Sequence, residues 1–168
     1  MAMSSPSENL DDVPWLTGSE QHAWRAYLRA TRLLEVALDL DLSRHGTQLS
    51  EYEVVSMLSE APNGRMRMSA LADLVVQSRS RITHTASRLE KRGWVRREPC
   101  ADDRRGVELV LTDTGREHVA LMAKCHVQSV REHLIDILDP EEFIALGSSL
   151  QKIRDALAAP SQAGDALR

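Results

Sequence analysis

Residues 68–111 have the sequence MSALADLVVQSRSRITHTASRLEKRGWVRREPCADDRRGVELVL, and this stretch decides the fold. The hydroxyls of Ser69 and Ser78 predict the starts of two helices that are separated by a tight turn. Residues 94–99 and 106–111 predict two strands around a polar tip, and Val107, Leu109 and Leu111 alternate along the second. A helix-turn-helix followed by a two-stranded hairpin is the layout of a winged helix.

Helical segments flank this stretch on both sides. A dense apolar pattern predicts a long helix over 18–45. Ser50 and Glu53 have the spacing of a capping box and predict the start of a short helix. On the C-terminal side, Thr112 is a candidate N-cap for a helix over 113–138. The winged helix is therefore expected to lie between long helical extensions.

The apolar residues of these extensions predict a homodimer. The first helix is apolar on two sides, and the core of a winged helix cannot cover it together with the apolar C-terminal helices. We therefore predict a mainly α-helical chain with a small β-hairpin wing (an α+β class), that is, a winged helix-turn-helix with N- and C-terminal dimerisation helices. The predicted parts are a flexible leader (1–17), an N-terminal dimerisation helix (18–46), the winged helix-turn-helix lobe (47–112), C-terminal dimerisation helices (113–159) and a frayed tail (160–168).

The charge of the chain is unevenly distributed. The 168 residues carry a formal net charge of −4, which excludes a uniformly basic nucleic-acid coat. Residues 64–105, however, hold eleven basic and five acidic side chains and so carry a net charge of +6. A basic block inside an acidic chain indicates a local surface for a polyanion.

The helix that starts at Ser78 has one apolar and one polar side. At 100° per residue, Ile82, Thr85, Ala86 and Leu89 share the side that we expect to face the core. The opposite side has no acidic residue and combines cations with short hydroxyls, which is the chemistry of major-groove recognition. A solvated charged face is the alternative interpretation, and the coupling to a turn and a hairpin favours DNA. The candidate DNA-binding residues of this recognition helix are Gln77, Ser78, Ser80, Arg81, Thr83, His84, Ser87, Arg88 and Lys91.

The tip of the hairpin offers a second contact with DNA. Arg104 and Arg105 project from it, and a guanidinium there can enter the adjacent minor groove. Asp102 or Asp103 can hold one of the two arginines by a bidentate pair and so support the wing. The alternative is a solvated turn with an internal salt bridge.

Six short motifs in this part of the chain resemble a known family. In order and spacing, they are similar to the MarR family of winged-helix regulators, the multiple-antibiotic-resistance regulators. The motifs are Leu49-Ser-Glu-Tyr-Glu53, Met68-Ser-Ala-Leu-Ala72, Ser78-Arg-Ser-Arg-Ile-Thr83, Arg88-Leu-Glu-Lys-Arg-Gly93, Asp102-Asp-Arg-Arg-Gly106 and Leu111-Thr-Asp-Thr-Gly115.

The resemblance implies more than the fold. It implies an obligate homodimer whose N- and C-terminal helices interlock, and which binds a palindromic operator on double-stranded DNA, usually as a repressor. Many members of the family release DNA when a small phenolic or other lipophilic ligand, a metal or an oxidant binds. A winged-helix module that binds protein instead of DNA is the alternative, and the basic recognition helix argues against it.

The chain contains candidate residues for sensing three kinds of signal, namely an apolar ligand, an oxidant and a metal ion. Trp15, Trp24 and Tyr27 are candidates for an apolar ligand pocket, or equally for core or dimer packing. Redox sensing would require an exposed thiol of low pKa, for which Cys100 beside the wing is the candidate. The family's peroxide sensors carry their reactive cysteine near the N-terminus, and this chain has none there. Metal sensing would draw on residues of one helix, namely His118, Cys125, His126 and His133, without a zinc-binding motif.

Several protein classes are excluded. No Ser/His/Asp or Cys/His arrangement, paired carboxylates or Gly-rich phosphate loop is present, so we do not expect an enzyme, a metal site or a cofactor. No apolar run reaches the ~20 residues of a membrane-spanning helix, and the N-terminus lacks the pattern of a signal peptide. Two cysteines cannot build a disulfide framework. We therefore expect a cytoplasmic protein without a membrane partner.

Overall fold

The computed structural model describes residues 13–100, 103 and 106–158. The predicted leader, apart from residues 13–17, and the predicted tail lie outside these residues, as do Asp102, Arg104 and Arg105. The helices are α1 (Gly18–Ser43), α2 (Leu49–Glu60), α3 (Met68–Leu74), α4 (Arg79–Lys91), α5 (Asp113–His133) and α6 (Pro140–Ala158), and the strands are β1 (Arg65–Arg67), β2 (Val95–Pro99) and β3 (Val107–Leu111). None of the helices in the described ranges is long and apolar enough to cross a membrane.

The chain forms two compact units, residues 1–34 and 35–168, and the division falls inside α1. In the first unit, α1 begins with a reciprocal cap. Glu20 Oε2 accepts a hydrogen bond from the backbone N–H of Thr17 at 2.7 Å, and Thr17 Oγ1 accepts one from the N–H of Glu20 at 3.3 Å. These bonds pair backbone donors that a helix start leaves without partners.

The second unit contains the winged helix. The core residues come from the end of α1, from α2 to α5 and from strands β2 and β3, and the predicted inward residues of α4 are confirmed. Among the most deeply buried side chains are Leu42, Val54, Val55, Leu58, Leu71, Ile82, Thr85, Ala86, Leu89, Val95, Leu109 and Met122. The mainly α-helical fold with a β wing is therefore as predicted.

The wing has three strands, not two. Its order is β1-β3-β2 with antiparallel pairs, in which Arg65 lies opposite Val110 and Val95 lies opposite Leu111. The sequence missed β1 because three residues, Arg-Met-Arg, are too short to show a strand pattern, and they become a strand only by pairing with β3.

Two predicted helix starts are wrong. The helix predicted to begin at Ser50 begins at Leu49 with Gln48 as N-cap. The Asp39 side chain accepts the Leu49 N–H at 2.7 Å, which is a tertiary contact that no local rule can supply. Similarly, α3 begins at Met68 and has no side-chain cap from Ser69.

The predicted C-terminal limit of α5 is also wrong. The helix ends at His133, and a 3₁₀ turn occupies Ile135–Ile137. Leu134 interrupts the helical backbone with φ −141° and ψ −60°.

Ser78 and Thr112 are the N-caps that the sequence predicts. Ser78 Oγ accepts the N–H of Arg81 at 3.3 Å, and Thr112 Oγ1 accepts the N–H of Gly115 at 3.0 Å. The same Thr112 hydroxyl donates to the Gly93 carbonyl at 2.6 Å. The start of α5 is thereby attached to the chain between α4 and the wing.

This attachment requires a glycine at position 115. A Cβ on Gly115 would lie 2.1 Å from the Trp94 carbonyl oxygen and 2.8 Å from Leu111 Cδ1. The first of these atoms belongs to the backbone and cannot rotate away. By contrast, nothing lies within 4 Å of the Cβ position of Gly147 in α6.

Gly115→Ala is therefore expected to lower the free energy of unfolding by about 2 kcal/mol, because the clash outweighs the gain in helix propensity. Gly147→Ala is the control and is expected to leave stability unchanged or raise it by up to about 1 kcal/mol. Urea denaturation followed by circular dichroism measures both. Equal stability of Gly115→Ala and the wild type would contradict the close approach of α5 and Trp94.

Candidate nucleic-acid interface

The polar face of α4 is the exposed face of the winged helix. Ser78, Ser80, Arg81, His84 and Lys91 are exposed along it. The face is separated from the core by the buried residues on the other side of the same helix. The N-terminus of α4 adds free backbone N–H groups, which suit a phosphate.

Two grooves run along this helix. One has a volume of about 380 Å³ and lies between the starts of α2 and α4, where Gln48 and Ser50 face Ser80, Arg81 and His84. The other has a volume of about 410 Å³. It is lined by Arg67, Met68, Ser69, Arg79, Thr83, Asp103, Gly106 and Val107. The recognition helix therefore stands as a ridge between the start of α2 and the base of the wing.

Some of the predicted DNA-binding residues already have partners in the protein. Thr83 Oγ1 donates to the Arg79 carbonyl at 2.8 Å, and Ser87 Oγ donates to the Thr83 carbonyl at 2.9 Å. Gln77 lies half-buried in the turn before α4, where its Nε2 donates to Glu53 Oε2 at 3.3 Å. These three side chains are less free than the exposed members of the face.

Arg88 is held by a carboxylate that the sequence analysis missed. Glu51 of α2 is only 1% exposed, and its Oε1 accepts from Arg88 Nε at 3.0 Å. Glu51 Oε2 accepts the Gln48 N–H at 3.1 Å and lies 3.7 Å from Arg92 Nη2. A buried carboxylate needs such partners, so two arginines of the basic segment serve the fold.

Arg97 of β2 connects the wing to the recognition helix. Its guanidinium donates to Glu90 Oε2 at 2.7 Å, to Ser87 Oγ at 2.9 Å and to the Thr83 carbonyl at 3.1 Å. All three acceptors belong to α4. This arginine therefore fixes the orientation of the recognition helix relative to the wing.

A stacked column supports the far end of α4. The Arg92 guanidinium lies 4.7 Å from the centre of the Trp94 ring, and Trp94 stacks on His118 at 3.6 Å. His118 Nε2 is 2.8 Å from the hydroxyl of the buried Thr47. Burial, together with the charge of Arg92, lowers the pKa of His118 and so favours the neutral ring in the column.

Ion pairs also brace the base of the wing. Arg65 binds Glu98 and Glu108, and Arg67 Nη1 lies 3.6 Å from Asp103 Oδ2. Of the predicted wing-support residues, Asp103 therefore contacts an arginine of β1. The predicted minor-groove residues Arg104 and Arg105 lie outside the described residues, as does Asp102.

The aromatic residues of the predicted ligand pocket are only partly brought together. Trp24 and Tyr27 stack in α1 with ring centres 5.9 Å apart, and they are 51% and 43% exposed. Trp15 precedes α1 and is 93% exposed.

The candidate residues for metal or redox sensing do not form a common site. His118 contacts Trp94, His126 contacts Tyr52, and His133 Nε2 lies 2.8 Å from Asp41 Oδ2. Among the described residues, no group of three or more His, Cys, Asp or Glu side chains is placed to hold a metal ion. The Cys100 side chain is buried, at 5% exposure, which does not match the exposed thiol that redox sensing requires.

Comparison with known proteins gives the family. A family model described as the MarR family matches residues 48–107. The crystal structure of AbsC, a MarR family transcriptional regulator from Streptomyces coelicolor, matches this chain with a TM-score of 0.81 and 45% sequence identity. The match covers 86% of this chain and 98% of AbsC. The chain belongs to the MarR family. It is therefore a transcriptional regulator and not an enzyme.

Two further relatives give the same result for this MarR-family chain. Sco3205 of Streptomyces coelicolor, solved in complex with DNA, is 40% identical over 89% of this chain and 94% of its own, with a TM-score of 0.84. PecS of Dickeya dadantii, an HTH-type transcriptional regulator, is 32% identical over 67% of this chain. The match covers 66% of the length of PecS, slightly less than two thirds.

The sequence analysis missed Glu51, Arg92 and Arg97 because each acts through a tertiary contact. One local signal was available. Gln48 and Glu51 also have capping-box spacing, and this pair competes with Ser50 and Glu53, which lie two residues further along the chain. Serine is the better N-cap by propensity, so local rules choose the wrong pair.

Glu51→Gln in this MarR-family regulator is expected to lower the free energy of unfolding by about 2 kcal/mol, because Arg88 and Arg92 lose their shared carboxylate. The arginines are 46% and 40% exposed, so water compensates part of the loss. Glu60→Gln, at the exposed end of the same helix, is the control and is expected to change stability by less than about 0.5 kcal/mol. Thermal and urea denaturation test the pair, and equal effects of the two substitutions would contradict the role of Glu51.

Proposed function

We propose that the protein is a sequence-specific DNA-binding repressor that acts in the cytoplasm as a homodimer on a palindromic operator. The observation that carries the proposal is the exposed, acid-free face of α4, on which Arg81, His84 and Lys91 lie. Arg81 and His84 line the groove between this helix and the start of α2. An α-helix of this kind fits the major groove, where arginine binds guanine edges and hydroxyls bind phosphates. The DNA complex of Sco3205 supports the assignment by similarity.

The proposed contacts divide by what they recognise. Arg81, in the first turn of α4, is the candidate for base recognition, whereas the hydroxyls of Ser78 and Ser80 lie at the helix start where phosphates bind. Arg104 and Arg105 of the wing are the proposed minor-groove contacts. The hydrogen bonds of Thr83 and Ser87 and the ion pair of Arg88 give these three residues a positioning role beside any contact with DNA.

The first test is operator binding. Footprinting upstream of the protein's own gene identifies the operator, and fluorescence anisotropy then measures the affinity at several salt concentrations. Arg81→Ala is expected to weaken binding by about 1–3 kcal/mol, which is roughly tenfold or more. Wild-type affinity is expected to fall steeply with salt as counterions return to the phosphates.

The matched control is Arg154→Ala. Arg154 is an exposed arginine of α6, paired with Asp155 at 2.8 Å. It is expected to keep the wild-type operator affinity. If Arg81→Ala and Arg154→Ala bind the operator equally well, the proposed recognition face is wrong.

The proposed homodimer is supported by apolar residues that a single chain leaves in water. Large apolar side chains on three helices are between 53% and 81% exposed. Such a group of exposed apolar side chains is typical of an interaction surface, whereas single exposed ones are ordinary. They lie on the elements that the sequence predicts to dimerise. The residues are Leu33, Val36 and Leu40 of α1, Leu121 and Val127 of α5, and Ile144, Ile153 and Leu157 of α6.

Sedimentation tests the dimer directly. The wild type is expected at twice the 18.8 kDa chain mass at micromolar concentration. Ile144→Glu combined with Ile153→Glu is expected to shift the mass towards the monomer, because buried charges oppose association. Gln151→Glu adds a charge to the same helix and is the control. A monomeric wild type would contradict the dimer.

The proposed effector is a small phenolic or other lipophilic molecule that releases the operator. The half-exposed stack of Trp24 and Tyr27 offers aromatic faces to such a ligand. Repeating the anisotropy measurement with phenolic ligands tests release, and Tyr27→Ala tests whether the stack takes part.

A further inference from the structure

Glu53 and Gln77 form a pair beneath the recognition helix. Glu53 lies one turn into α2 and is half-buried, and Gln77 lies in the turn that connects α3 to α4. Gln77 Nε2 donates to Glu53 Oε2 at 3.3 Å. Gln77 Oε1 is buried and has no hydrogen-bond partner among the residues that the structure describes. A buried acceptor without a hydrogen bond destabilises the folded protein unless a donor can reach it.

The pair lies at a cavity of about 680 Å³ between the C-terminal part of α1, the start of α2 and the start of α4. The charged groups that line it are Glu35 and Asp39 from α1, Glu53 from α2 and Arg81 from α4. Asp39 is engaged by the Leu49 N–H. Glu35 repels the charge of Glu53, and Arg81 attracts it.

The surroundings favour a neutral Glu53. Burial raises the pKa of Glu53, and the nearby Glu35 carboxylate raises it further, against smaller opposing effects of Arg81 and Gln77. A neutral carboxyl group carries an O–H donor, which a carboxylate lacks. Protonated Glu53 can therefore donate to Gln77 Oε1 and still accept from Gln77 Nε2, so that both atoms of the amide are paired.

We propose that Glu53 and Gln77 form a proton-binding site that controls DNA affinity through Arg81. The inference rests on the proposed function, in which Arg81 contacts the operator. Ionised Glu53 attracts the Arg81 guanidinium towards the cavity and adds a negative charge beneath the DNA-binding face. Proton uptake removes that charge and leaves Arg81 available to DNA. Operator affinity should therefore rise as the pH falls, and operator binding should in turn draw a proton onto Glu53.

The first measurement needs no DNA. Carbon-13 NMR of carboxyl-labelled glutamate follows the titration of the full-length protein, and the Glu53 signal is assigned by its absence in Glu53→Gln. The expected midpoint lies above the ordinary value for glutamate. Glu35→Gln removes the repelling charge and is expected to lower that midpoint. A Glu53 midpoint at or below the ordinary value would overturn the proposal.

The second measurement is operator affinity at pH 7.5 and pH 5.5. His84 lies on the proposed DNA-facing surface, and histidine is the residue type that ordinarily changes charge between pH 5 and 8, so every protein compared carries His84→Gln. In that background we expect Glu53 to account for a gain in operator affinity of about fivefold when the pH falls from 7.5 to 5.5. A difference of one unit between the Glu53 pKa of the free and of the DNA-bound protein would limit this gain to about tenfold. Glu53→Gln imitates the neutral acid, so it is expected to bind more tightly than its parent at pH 7.5 and to gain less affinity on acidification.

Glu60→Gln provides the control in the same helix and is expected to keep the full pH dependence of the parent. Thermal melting establishes that each variant is folded before its affinity is compared. Equal pH dependence of the parent, Glu53→Gln and Glu60→Gln would overturn the proposal. Absence of operator binding at every pH in the wild type would contradict the proposed function instead, and the NMR midpoint would still report on the proton site.

Discussion

The geometry of the winged helix depends on one buried carboxylate. Glu51 is almost inaccessible to water, and its charge is matched by Arg88, by Arg92 and by the backbone N–H of Gln48. Arg88 lies in the last turn of α4 and Arg92 directly follows that helix, whereas Gln48 precedes α2. Because an unpaired charge at this depth would be strongly destabilising, the contacts hold the recognition helix against the start of α2. A structural ion cluster thus determines how the DNA-facing surface is presented.

This cluster changes the meaning of the basic segment. Residues 64–105 carry a net charge of +6, and this total indicates a surface that binds a polyanion. The structure separates that sum into two groups. Arg88, Arg92 and Arg97 are engaged with Glu51, with the Gly46 carbonyl and with acceptors of α4. Arg81 and Lys91 remain exposed on the outer face. Among the residues that the structure describes, the positive charge offered to a partner is therefore smaller than the count suggests.

Local rules predicted what local contacts determine. The side of α4 that faces the core follows from a spacing of 3.6 residues, and Ser78 and Thr112 cap helices through bonds to residues three positions away. Tertiary contacts determined the rest. β1 exists because β3 pairs with it, and α2 starts at Leu49 because Asp39 reaches its N–H. Arg97 could not be distinguished from its exposed neighbour Arg96 until β2 was placed beside α4.

The residue at which α2 starts determines the surroundings of both Glu51 and Glu53. Local propensity makes Glu53 the capping glutamate, in which case its carboxylate would be satisfied by the helix N-terminus and held ionised. The structure assigns that position to Glu51, and the two-residue offset turns Glu53 towards the cavity beside Gln77 and Arg81. Glu51 is therefore surrounded by donors, whereas Glu53 faces a second carboxylate and an unpaired amide oxygen. Two glutamates that are two residues apart on different faces of one helix are thus suited to opposite roles, one holding the recognition helix in place and the other sensing protons beneath it.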